Sequence, residues 1–191
     1  LSLLGDQTFG SLITVIDDSS RNLKDFVDSL EEEWKAQVPT LSTEPISVVA
    51  RLVRMSYYVE RRVAENLARF DLTRGEFEVL AVLTRNPDTV ITPKILQTKI
   101  LITSGGLSNR IRKLEEKGLL ERFPDTSDRR GVILKATEKG KALTLEAVNS
   151  HVEVERQFAS CLNHDEQLEL ARLLKHMILS QQRELNRNSL R

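Results

Sequence analysis

The chain has 191 residues, enough for one or two domains with a real core, and its 28 Lys and Arg balance 28 Asp and Glu to a formal net charge of zero. Its single cysteine, Cys161, excludes an intrachain disulfide framework and fits a reducing, cytoplasmic setting, and no apolar run reaches the ~20 residues needed to cross a bilayer. The balance hides an uneven distribution: residues 1–47 hold 3 basic and 9 acidic side chains, whereas residues 92–135 hold 10 and 5.

The first stretch, Leu1–Ile16, has no basic n-region and is not expected to act as a signal peptide. Arg21–Val38 places Leu23, Phe26, Val27, Leu30 and Trp34 on one stripe opposite acids, which predicts an amphipathic helix capped by Ser19 or Ser20. Pro39–Pro45 breaks it. Ile46–Phe70 reads as a long helix with Val49, Leu52, Val53, Val63 and Leu67 available for packing. Thr73 and Glu76 form a capping-box pattern ahead of Phe77, Leu80, Ala81 and Leu83, so a helix is predicted over Thr73–Arg85. Asn86-Pro-Asp marks a turn. Thr92 before Pro93 opens a short helix that reaches Ile100.

The next segment is the most informative. Thr103–Lys117 has Leu107, Ile111 and Leu114 at helical spacing on one face, and Ser108, Asn109, Arg112 and Lys113 on the other. Gly118 stops that helix. Leu119–Phe123 and Gly131–Ala136 read as a pair of short strands, and the turn between them ends in Arg129 and Arg130. Helix, strand, basic loop and strand in this order are suited to placing a helix in the DNA major groove with a basic wing beside it. Thr103, Ser104, Ser108, Asn109, Arg112, Lys113, Arg129 and Arg130 are the candidate DNA contacts. The net charge of +5 over residues 92–135 lies where a DNA footprint needs it. Thr137–Phe158 and Asp165–Leu185 are predicted as two further long helices, the second capped by Asn163 or Asp165.

The predicted architecture is mainly α with a small β-wing: a winged helix-turn-helix core flanked by long dimerisation helices. Residues 1–45 form an N-terminal extension with an extra helix at about 21–38. Residues 46–70 and 137–191 supply the dimerisation helices, and residues 71–136 the DNA-binding region. Apolar stripes with no sheet to cover them call for a second copy, most simply a two-fold homodimer. Such a dimer presents two recognition helices to half-sites about 34 Å apart.

From about Ile46 to Gln181 the chain resembles the MarR family of winged helix-turn-helix regulators. The resemblance is carried by LTRGEFEVL from Leu72, SGGLSNRI from Ser104, LEEKGLLER from Leu114, DTSDRR from Asp125 and LKATEKG from Leu134. It implies a homodimeric, cytoplasmic, ligand-responsive protein on a palindromic double-stranded operator, most often a repressor. Phe26 to Trp34, followed by a short loop and Glu44-Pro-Ile, is similar to the extra leading helix of the urate-responsive PecS and HucR type. Matched residue by residue, that resemblance implies a ligand site of Trp34, Glu78, Arg110 and Arg122. The subgroup carries Asp at the position of Glu78, one methylene shorter, so the effector is read only as urate or a phenolic-type anion. Two guanidiniums and an indole N–H suit a planar, electron-rich anion.

Other chemistries find little support. His151, His164 and His176 include no i,i+4 pair, no Cys-x-x-Cys is present, and no nucleophile has an evident base. No cofactor, metal site or catalytic residue is therefore predicted. The rival readings are a winged-helix protein-interaction module that does not bind DNA, and an enzyme.

Overall fold

The computed structural model describes residues 23–100, 104–125 and 131–188. Its helices begin where side chains satisfy the free backbone N–H groups of a first turn. Asp25 accepts from the N–H groups of Val27 and Asp28, and Asp28 returns a bond to the Asp25 N–H, which starts α1 (Phe26–Gln37). The expected cap at Ser19 or Ser20 lies outside the described residues, and the helix begins five residues later than the stripe suggests. Its stripe is also less buried than expected. Among the described residues of α1 only Val27 is buried, while Leu23 ahead of it, Phe26 and Trp34 are exposed.

The long α2 (Glu44–Ala68) follows a two-residue turn at Pro39 and Thr40. Only Val63, Asn66 and Leu67 of it are buried, whereas Val49 and Val53 face outward. The corner after α2 uses Asp71 in the left-handed region, φ 52°. Thr73 and Glu76 form the expected reciprocal cap on α3 (Arg74–Thr84), and Glu76 is buried as it does so. Thr92 caps α4 (Pro93–Lys99), whose proline occupies the first turn, where no N–H is needed. Then come α5 (Ser104–Glu116), β1 (Leu120–Pro124) and β2 (Val132–Ala136). The strands pair antiparallel from Leu120 opposite Ala136 to Pro124 opposite Val132. On the far side of β2, the Leu134 N–H donates to the Ile91 carbonyl at 2.8 Å, which ties the wing to the start of the α4 region.

The last two helices are α6 (Glu138–Ala159) and α7 (His164–Asn188). Of the two candidate caps for α7, Asn163 is the one used. Its side chain accepts from the Glu166 N–H at 3.0 Å, and the Glu166 carboxylate accepts from the Asn163 N–H.

The chain divides into two compact units, residues 1–51 with 159–191 and residues 52–158. The core lies in the second. Leu67, Leu80, Leu96, Leu114, Leu120 and Leu134, one from each of six elements, are fully buried in one cluster. In the first unit, Arg51 holds α1 on the N-terminal part of α2. Its Nε reaches Asp25 at 2.9 Å, Nη2 reaches Asp28 at 2.6 Å, and Nη1 lies 3.7 Å from Glu31. Thr43 is buried there and donates to Glu31 at 3.0 Å.

Candidate nucleic-acid interface and effector cleft

The recognition helix is fixed by its apolar face. Leu107, Ile111 and Leu114 are buried in the core at the spacing read from the sequence, so helical phase turns Ser108, Asn109, Arg112 and Lys113 to solvent. Arg112 is extended along the helix surface. One end of its guanidinium donates to Asn109 Oδ1 at 2.8 Å and the other to Glu116 Oε1 at 2.5 Å. These exposed pairs are weak in water, and each is exchangeable for a base edge or a phosphate. Ser104 begins the helix. Thr103, Arg129 and Arg130 lie outside the described residues.

Beside the N-terminal turn of α3, a cleft of about 620 Å³ is lined by Glu60, Arg74, Gly75, Phe77, Glu78, Ala81, Arg85, Lys99, Ile100 and Arg110. It brings together two of the four residues proposed for a ligand, Glu78 and Arg110. Arg110 reaches it because residue 75 has no side chain. A Cβ built on Gly75 would stand 2.0 Å from Arg110 Nε and 2.3 Å from Cζ, so the guanidinium occupies the place of a side chain against the α3 backbone.

Glu78 pairs with Arg74, Oε1 to Nε at 3.1 Å, not with Arg110. Arg74 sits one turn upstream on the same helix, so the pair forms without reaching across the cleft. Arg74 also holds Glu60 at 3.1 Å. Among the described residues, no carboxylate lies within ion-pair distance of Arg85, Lys99 or Arg110. The cleft therefore carries three cations that form no ion pair among the described residues, with Phe77 in its lining. The Phe77 ring packs on His151 with centroids 5.2 Å apart.

Of the other two proposed residues, one belongs to this unit and one to the first. Arg122, on β1, pairs with Glu115 of α5 at 2.9 Å and does not line this cleft. Trp34 belongs to the first unit, on the last turn of α1, and is 46% exposed. Sequence reasoning missed Arg74, Arg85, Lys99 and Phe77. Arg74 was detectable as the i−4 neighbour of Glu78. Arg85 and Lys99 end different helices, and only the packing of α3 beside α4 puts them in one place.

Among the described residues, no cluster of three His, Cys, Asp or Glu is arranged to hold a metal, and no helix is long and apolar enough to cross a membrane.

Comparison with known proteins agrees with the helix and wing. The MarR family model matches residues 72–132. The HTH-type transcriptional regulator PecS of Dickeya dadantii (strain 3937) is 32% identical over 157 residues, which cover 80% of this chain and 95% of PecS. Among solved structures, a cysteine-to-serine mutant of MarR from E. coli complexed with operator DNA is 27% identical, with a TM-score of 0.62, covering 75% of this chain and 96% of that one. The S. aureus MepR–DNA complex is 25% identical, with a TM-score of 0.65, covering 70% and 98%.

Proposed function

Because the chain belongs to the MarR family of DNA-binding transcriptional regulators, we propose that it acts as a homodimeric repressor on a palindromic operator and is released by a small anionic aromatic or purine-like effector such as urate. The observation that carries this reading is the position of Arg110. It is part of the helix that presents Ser108, Asn109 and Arg112, yet its guanidinium lies in the cleft beside Glu78. A ligand that engages Arg110 acts on the recognition helix itself.

The DNA side rests on the exposed strip of α5 and on the +5 charge of residues 92–135. Ser108, Asn109, Arg112 and Lys113 are assigned to base edges and phosphates. Thr103, Ser104, Arg129 and Arg130 are assigned to the operator on motif position. PecS, 32% identical to this chain, is a transcriptional regulator, and MarR of E. coli and MepR of S. aureus have been solved on DNA. The homodimer is supported by outward apolar side chains on the proposed dimerisation helices, among them Val49, Val53, Leu168, Leu173 and Ile178.

The effector side rests on charge. Arg85, Lys99 and Arg110 offer donors to an anion, and Phe77 offers an apolar floor. A planar anion neutralises those cations and is repelled by Glu78. Release requires that the ligand bind two states of the cleft unequally, which is the condition for a shift. A hundredfold loss of operator affinity requires a difference of about 2.7 kcal/mol between them. The assignment of Trp34 and Arg122 to the effector rests on the motif resemblance.

The test is a thermal-shift screen of urate, xanthine, salicylate and hydroxybenzoates, followed by gel shift with DNA upstream of its own gene. A ligand of the folded dimer raises its melting temperature, and it then releases the DNA. Stabilisation without release removes the effector role, and binding that ignores salt removes the DNA role.

A further inference from the structure

The C-terminal end of α5 leaves three successive carbonyls beyond the helix ladder, on Lys117, Gly118 and Leu119. All three are taken by Thr137, which precedes α6, and by Lys139 in its first turn. The Lys139 ammonium donates to the Lys117 carbonyl at 3.1 Å, the Thr137 hydroxyl to the Gly118 carbonyl at 2.8 Å, and the Thr137 N–H to the Leu119 carbonyl at 3.1 Å. The same Thr137 hydroxyl accepts from the Gly140 N–H at 2.9 Å and so caps α6. Gly140 closes the joint from the other side. A Cβ there would stand 2.0 Å from the Leu119 oxygen and 2.9 Å from its carbonyl carbon. Those are backbone atoms and cannot swing aside, so any side chain at 140 must open the joint by about 1.4 Å before ordinary contact is restored.

We propose that Thr137 and Gly140 are positioning residues for operator recognition, setting the tilt of the recognition helix against α6. The inference rests on the reading of α5 as the DNA-reading helix. Thirteen residues make α5 about 20 Å long. A 10° rotation about its C-terminal end moves the N-terminal turn by about 3 Å, and base contacts come mainly from that end. A hydrogen bond to a base edge tolerates a few tenths of an ångström. The joint therefore governs sequence discrimination, while phosphate contacts, which depend on charge, adapt to a small tilt.

The experiment uses the full-length protein, a palindromic duplex that the wild type selects from random DNA, and a scrambled duplex of equal length. Thr137→Val keeps shape and removes the hydroxyl, Thr137→Ser restores it, and Gly140→Ala opens the joint. Thr137→Val and Gly140→Ala are expected to lower the ratio of selected to scrambled affinity by about tenfold, the size of one mismatched base pair. Thr137→Ser should keep the wild-type ratio, and the salt dependence on scrambled DNA should not change. If Gly140→Ala fails to fold, Thr137→Val decides the matter. An unchanged ratio in Thr137→Val overturns the inference. So does an equal loss on both duplexes that follows a fall in melting temperature, because that is a stability effect only. A wild-type protein that selects no palindrome overturns the proposed function instead.

Discussion

Arg112 and Arg110 are two residues apart, and helical phase gives them different work. Arg112 faces solvent, where its bonds to Asn109 and Glu116 are exposed and replaceable. Arg112→Ala should cost about 1–3 kcal/mol in operator binding and relax sequence preference, read by fluorescence anisotropy on matched and mutated operators. Equal affinity for wild type and variant would mean that this face does not meet the bases. Arg110 turns back towards α3 and lies where residue 75 lacks a side chain. Gly75→Ala is mild for the helix, since alanine is the better helix former by about 1 kcal/mol. It does force the guanidinium to move. The expected result is an intact fold and intact operator binding, with the thermal shift by an effector reduced severalfold. An effector response equal to wild type would remove Arg110 from the effector site.

At the scale of elements, stability is unevenly shared. Leu80 of α3 is fully buried in the core of the winged unit, so Leu80→Ala should cost about 2–5 kcal/mol in urea unfolding. The attachment of α1 combines the buried Val27 with charge. Exposed as it is, Asp25 feels some desolvation that pushes its carboxyl up. Arg51 and the backbone N–H groups of Asp28 and Val27 outweigh it and hold the carboxyl below the ordinary aspartate value. Its hydrogen bond to Asp25, ahead of that to Asp28, in turn raises Arg51 despite partial desolvation. A depressed carboxylate pKa contributes stability that is complete above the unfolded value and is lost as pH falls through the folded one. Acidification below the ordinary aspartate range should therefore loosen α1 from the start of α2. Trp34 is the chain's one tryptophan and stands on α1, so its fluorescence anisotropy reports the change. Asp25→Asn keeps a capping side chain and removes the charge, and it should show the loosened signal already at neutral pH. A signal unmoved by acid and by this variant would mean that apolar contact holds α1.

For the whole molecule, net charge is a poor guide and charge placement a good one. The chain is neutral, yet its basic excess falls on the helix and wing, and its acidic excess falls on the N-terminal extension. Binding to DNA should weaken steeply between 50 and 200 mM salt, with a slope near −0.9 for each phosphate neutralised. Arg130→Ala should lower that slope by about one and weaken binding evenly across sequences. A slope equal to wild type would exclude a phosphate contact at Arg130. The apolar residues of α2 and α7 that are exposed among the described residues act at this scale too, because such a stripe is available to a second chain.

Local chemistry made much of this legible before any fold was known. Thr73 with Glu76, Thr92 with Pro93, Asn163 and Gly118 are signals that act within a few residues, so their consequences appear at the predicted places. The alternation of apolar and polar positions in α5 likewise set its buried and exposed faces. Where such a signal was ambiguous, as at the start of α1, the sequence misplaced the boundary, because Asp25 and Asp28 cap each other more completely than a lone serine. What the tertiary structure alone decided is which distant residues share a space. The pairing of Arg74 with Glu60, the approach of Arg110 to the α3 backbone over Gly75, and the grip of Thr137 and Gly140 on Leu119 depend on packing between separate elements of the chain. Periodicity fixes a residue's direction on its own helix. Only the packing of one helix on another fixes what that direction meets.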